Sequence, residues 1–162
     1  MTRSNLVITL VVVLGWIGCE AVLPNLINTK YHTCITCLCH AKTGCYSLQN
    51  CANYSISYDY WITANAPTVR SNTGTDQRSF RECIANENCI IHTIKEYTSS
   101  LGNRDCVCDG VFDCRDMLSM HLYGEGCKPV MAKFTEVRYN NCADTKGLPR
   151  LDPNVECVDT DE

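Results

Sequence analysis

The sequence has few Phe and Trp, three and two of its 162 residues, and eight Tyr supply most of its 8% aromatics. The apolar core is expected to be modest. Excess basic charge is also missing: 14 Lys and Arg face 18 Asp and Glu, for a net charge of −4. Long-range attraction to nucleic acid or to an anionic bacterial wall is therefore not built in. No internal repeat, low-complexity segment or nucleophile-elbow motif is present. The four histidines, His32, His40, His92 and His121, are scattered without ligand spacing, so no metal and no cofactor is expected. The one long apolar run, from Leu6 to Ile17, follows Arg3 and falls short of the ~18 residues of a spanning helix. It has the length of a signal-peptide core, with Ala21 as the cleavage site. Residues 1–21 are thus expected to be removed from a secreted, extracellular protein with no membrane association.

Cysteine is what the chain has in excess. Fourteen in 162 residues point to an oxidising compartment and a disulfide framework. The bridging candidates after the leader are Cys34, Cys37, Cys39, Cys45, Cys51, Cys83, Cys89, Cys106, Cys108, Cys114, Cys127, Cys142 and Cys157. That set is odd. Either cleavage falls earlier and keeps Cys19, or one thiol stays free, or one pairs with another chain. The run Cys34-x-x-Cys37-x-Cys39 has the residue types of a zinc or redox site, but a secreted setting favours bridges. Cys37 and Cys39 are too close along a helix to pair with each other, so each must reach a different part of the chain.

Periodicity places the elements. Cys34, Cys37 and Leu38 share one face of a helix running from His32 to about Lys42, which Thr43-Gly44 stops. Residues 54–62, "YSISYDYWI", are β-branched and aromatic and predict a strand or hairpin. Residues 63–79 are polar and turn-forming. A single helix is expected across Phe80, Cys83, Ile84, Ile91, Ile94 and Leu101, with Gly102 as its stop. "CVCDGVFD" predicts a bridged turn, followed by a helix over 113–122 that ends at Gly124 and Gly126. The last stretch contains "KFTEVRY" and then a polar tail with an acidic end. The expected class is α+β: mostly helical, with one short β hairpin, a domain over 22–130 and a cysteine-containing extension over 131–162. "NYS" at Asn53–Ser55 is a glycosylation sequon and predicts an exposed turn.

Four segments, in order and with their cysteine spacing, resemble the invertebrate-type (i-type) lysozymes, also called the destabilase family. "CITCLCHAKTGC" is similar to that family's opening helix, and "CANYSISYDYW" to the stretch that closes on Tyr-Trp. "FRECIANENCIIHTIKEY" resembles its next helix, and "CRDMLSMHLYGEGC" its last helix and glycine turn, one residue short. The resemblance implies a lysozyme-like fold, hydrolysis of the β-1,4 link of peptidoglycan and, in some members, isopeptide cleavage. Glycoside hydrolysis takes two carboxylates, one to protonate the leaving oxygen and one to stabilise or attack the cationic sugar. By the resemblance, the first belongs where this chain has Lys42, and the second in a stretch that "GCYSLQNC" is too short to contain. Both carboxylates are missing.

A cation beside a developing oxocarbenium ion opposes the charge to be stabilised, so Lys42 is a poor substitute. Asp59 is the nearby acid open to recruitment. For isopeptide chemistry the corresponding pair is Thr43 and His121, and a threonine nucleophile needs a base placed beside it. The expectation is a lysozyme-like protein without glycosidase activity. Its partner is expected to be peptidoglycan or a chitin-like glycan, stacked on Tyr58, Tyr60 and Trp61. A working hydrolase with relocated groups is the alternative.

Overall fold

A computed structural model describes residues 23–70 and 74–157. The expected leader, Cys19 and the acidic end lie outside the described residues. Seven α-helices and one short 3-10 turn form the described chain, and no strand occurs among the described residues. The central helix, α1 (Lys30–Thr43), begins at an N-cap Thr29 and ends where Gly44 turns left-handed at φ 80°. Ile35, Cys37, Leu38, Cys39 and Ala41 of α1 are all fully buried, because other helices surround it. Its most extensive partner is α7 (Lys133–Lys146), with α2, α6 and α5 completing the shell.

The hairpin expectation is overturned. Residues 48–63 form two short helices, α2 (Leu48–Ser55) and α3 (Tyr58–Thr63). The physical reason is capping: Ser47 accepts from the Asn50 N–H and Ser57 from the Tyr60 N–H, each meeting a helix-start donor. Ile56 and Ser57 stay extended between them. The aromatic content of this stretch serves packing and not strand formation. Trp61 is fully buried, and its indole N–H donates to the Pro67 carbonyl at 2.8 Å.

The expected single helix over 80–101 is likewise two. α4 (Gln77–Ile84) stops at Ala85, and α5 (Glu87–Ser100) restarts from Asn86, whose side chain accepts from the Cys89 N–H. α6 (Cys114–Tyr123) lies where it is expected and opens on an Asp113–Asp116 capping box. Asp116 is completely buried and also accepts from the Cys106 and Val107 N–H groups at 2.7 and 3.1 Å. It thereby ties the preceding loop to α6.

The sequence patterning leaves α7 unpredicted. Its buried face is Thr135, Glu136, Tyr139, Asn140, Cys142 and Ala143, too polar to show an apolar stripe. The chain then doubles back, with Asn140 donating to the Leu151 carbonyl and accepting from its N–H.

Six bridges hold these elements: Cys34–Cys114, Cys37–Cys142, Cys39–Cys51, Cys83–Cys89, Cys106–Cys127 and Cys108–Cys157. Cys37 and Cys39 do reach different helices, α7 and α2. Cys45, expected among the bridging set, is instead exposed and unbridged among the described residues. It lies past the Gly44 turn, where the chain leaves the packed helix bundle.

Candidate functional site

The last turn of α1 and one side of α2 enclose an open cleft of about 510 Å³, lined by Lys42, Thr43, Cys45, Asn50 and Tyr54. Its size lies within the ~300–1,000 Å³ usual for small-ligand sites. Lys42 is the only charged residue among the five, and no carboxylate lines the cleft. Asp59 sits exposed in the first turn of α3 and is not among the lining residues.

The opposite side of Lys42 is built from three helices. His121 on α6 is only 8% exposed, and its Nδ1 lies 2.9 Å from the Tyr60 hydroxyl of α3. Tyr60 in turn stacks on Tyr97 of α5, with ring centroids 3.6 Å apart. Gly124 lies close beside this packing. Its φ is 62°, and a side-chain carbon there would stand 3.3 Å from the Tyr97 hydroxyl. The Tyr60 hydroxyl is held well above its ordinary pKa by burial and then by Tyr97. Tyr97 is raised too, by burial first and then by the charge of Glu125.

His121 is pushed down to about 3, by burial first and by the Lys42 charge second. It is therefore neutral, with one ring proton. When the protonated Tyr60 hydroxyl donates to Nδ1, one buried group is left without a partner, Nε2. The reverse assignment leaves the Tyr60 O–H unmet as well, so the first is favoured. In that tautomer Nδ1 spends its lone pair on Tyr60 and Nε2 carries the proton. No lone pair remains to accept one.

Thr43 is equally occupied. Its hydroxyl donates to the Cys39 carbonyl at 2.8 Å and accepts from the Cys45 N–H at 3.1 Å, closing the helix end. The expected stacking residues are also engaged. Trp61 is in the core, Tyr60 is covered by Tyr97, and the Tyr58 hydroxyl donates to the Thr75 carbonyl while its ring meets Phe80 edge-on. The ring that projects beside the cleft is Tyr54, 81% exposed. Patterning does not single out Tyr54, although it lies inside the "NYS" sequon; neighbouring Asn53 is exposed, but on helix α2 and not in the expected turn. Asn50 and Tyr97 carry no sequence signal for this site, because the fold brings Asn50 to the Lys42 cleft and Tyr97 to the Tyr60 ring beside His121.

Asp116 is raised by burial, against the lowering effect of the N–H groups it accepts from, and those bonds hold it to the Asp113 and Cys106 backbones. No cluster of three or more His, Cys, Asp or Glu suited to a metal ion occurs among the described residues.

No curated protein and no solved structure matches the chain. A family model described as Destabilase matches residues 31–144, more than two thirds of the sequence, from the start of α1 nearly to the end of α7. By that match the chain belongs to the destabilase family, the i-type lysozymes.

Proposed function

We propose that this destabilase-family protein binds a glycan in the Lys42 cleft and has lost glycosidase chemistry. One observation carries the reading: the cleft at the end of α1 is lined by a lysine and by no carboxylate. Retaining and inverting glycosidases both depend on two carboxyl groups, about 5–9 Å apart across the scissile bond. A lone cation there raises the energy of the sugar cation that such an enzyme must stabilise.

Isopeptide cleavage by Thr43 and His121 is disfavoured on separate grounds. The Thr43 hydroxyl is committed to the helix end, and His121 has no free lone pair with which to take its proton. What remains suited to a sugar is an exposed aromatic ring, Tyr54, and the Asn50 amide as donor and acceptor. Six disulfides and membership of this family suit an extracellular protein. The mature form is expected to begin after Ala21 and to carry a glycan on Asn53, next to Tyr54. Intact mass before and after glycosidase treatment should differ, and an unchanged mass removes that part.

The test is co-sedimentation with insoluble peptidoglycan and with chitin, read beside clearing of a cell-wall suspension by the same oxidised protein. Binding without clearing is the expected result. Clearing would restore the hydrolase reading, and failure to sediment with either polymer would remove the glycan.

A further inference from the structure

The geometry points to a preference of the Lys42 cleft for acidic sugars, those that carry a carboxylate or a sulfate, over neutral ones. This rests on the glycan reading above and names the class of glycan.

The argument is one of charge placement. Lys42 is exposed and takes part in no ion pair among the described residues. A second cation stands on the far side of the same turn. The Arg138 guanidinium of α7 packs against Gly44, 3.3 Å from where a side-chain carbon would be, and it too makes no ion pair among the described residues. Its attraction is spent on the Phe134 ring, 5.6 Å away. The helix dipole explains why cations gather at the end of α1. It does not explain why the cleft beside them has no acid, in a chain with more Asp and Glu than Lys and Arg.

Near Lys42 the neutral His121 adds no charge and no competing acceptor. The remaining polar groups of the cleft are the Thr43 hydroxyl, already bonded, the Asn50 amide, the Tyr54 hydroxyl and the Cys45 thiol, none of them cationic. An anion is therefore the one ligand group for which the cleft has an unspent, charge-assisted donor. Tyr54 supplies the apolar face for the ring that carries the anion. Because the chain as a whole is negative, long-range steering works against such a ligand. Selection must come from contact at Lys42.

Four matched tetrasaccharides separate the terms. Chitotetraose is neutral, the chitosan tetramer is cationic, and hyaluronan and chondroitin sulfate tetrasaccharides supply carboxylate alone or carboxylate with sulfate. Titration calorimetry on the full oxidised protein should rank the two acidic probes first, about five-fold tighter than chitotetraose, and the chitosan tetramer last. The advantage should shrink towards nothing in 1 M salt, where the Debye length is about 3 Å. Lys42→Ala should abolish it and Lys42→Arg should keep it, with circular dichroism confirming the fold of both. Equal binding of neutral and acidic probes, or an acidic preference that survives Lys42→Ala, overturns the inference and leaves glycan binding standing. If no tetrasaccharide binds, both fall together.

Discussion

The two halves of α1 differ in kind. Between Cys34 and Cys39 the helix is bridged to α6, α7 and α2 in turn, at sequence separations of 80, 105 and 12. Its side chains there are almost wholly buried. From His40 to Cys45 no bridge is made among the described residues, and the chain opens into the cleft. The difference shows how a fold and its chemistry come apart. The bridged half fixes the position of the helix end, whatever residue stands on it. A carboxylate or a lysine can then occupy position 42 without disturbing the core.

The sharpest way to break that comparison is to damage the core and the bridges that hold the packed half. Trp61→Ala removes a fully buried ring and its bond to Pro67, and should cost about 3–5 kcal/mol in urea unfolding followed by circular dichroism. A cost under 1 kcal/mol would mean that the ring is not part of the core. Replacing Cys37 and Cys142 together by Ser opens the longest of the six loops, and should cost about 2–5 kcal/mol in the same assay. A neutral result would show that α7 docks on α1 without its bridge.

A pH series probes the open half. Burial holds His121 down at about 3 and lowers His40 as well, whereas the unfolded side chains titrate near 6.5. Below that value the unfolded chain binds protons that the native one refuses. Stability is thus full above about pH 6.5 and is lost as pH falls towards the folded values. Each such group gives a slope of at most about 1.4 kcal/mol per pH unit. Between pH 6.5 and 5, where ordinary carboxylates stay ionised, His121→Gln should flatten the slope most and His40→Gln less. An unchanged slope in His121→Gln would mean that this ring is charged or exposed in the native state. The smallest expected effect is that of Cys45→Ser, within about 0.5 kcal/mol of the parent. Iodoacetamide should label Cys45 in the native parent, as read by peptide mapping, and an unlabelled Cys45 would mean that the thiol is covered or bridged.

Sequence patterning recovers the bridged half far better than the open one. α1 and α6 show in it because their apolar and cysteine residues repeat at helical spacing and their ends carry strong signals, Gly44 for one and Asp113 for the other. Residues 54–62 mislead because β-branched and aromatic content competes there with two serine caps, and the caps prevail. Ile84 and Ile91 sit in helical register across a break, so one helix is expected where Asn86 starts a second. α7 stays hidden because Glu136 and Asn140 stand at buried positions. Of the site, Lys42 is legible, since its place follows from the cysteines around it. That Tyr54 projects while Tyr60 and Trp61 are covered depends on which face of each short helix meets α5, and no spacing in 54–62 encodes that.

The account turns on whether bonds are broken in the Lys42 cleft. The direct measurement is mass spectrometry of soluble products from purified peptidoglycan, incubated with the oxidised protein from pH 4 to 8, beside Lys42→Glu. The account predicts no new oligosaccharide at any pH from either protein, since one introduced acid has no second carboxylate in the cleft. Products from the parent with a bell-shaped pH profile, or full activity from Lys42→Glu alone, would contradict it.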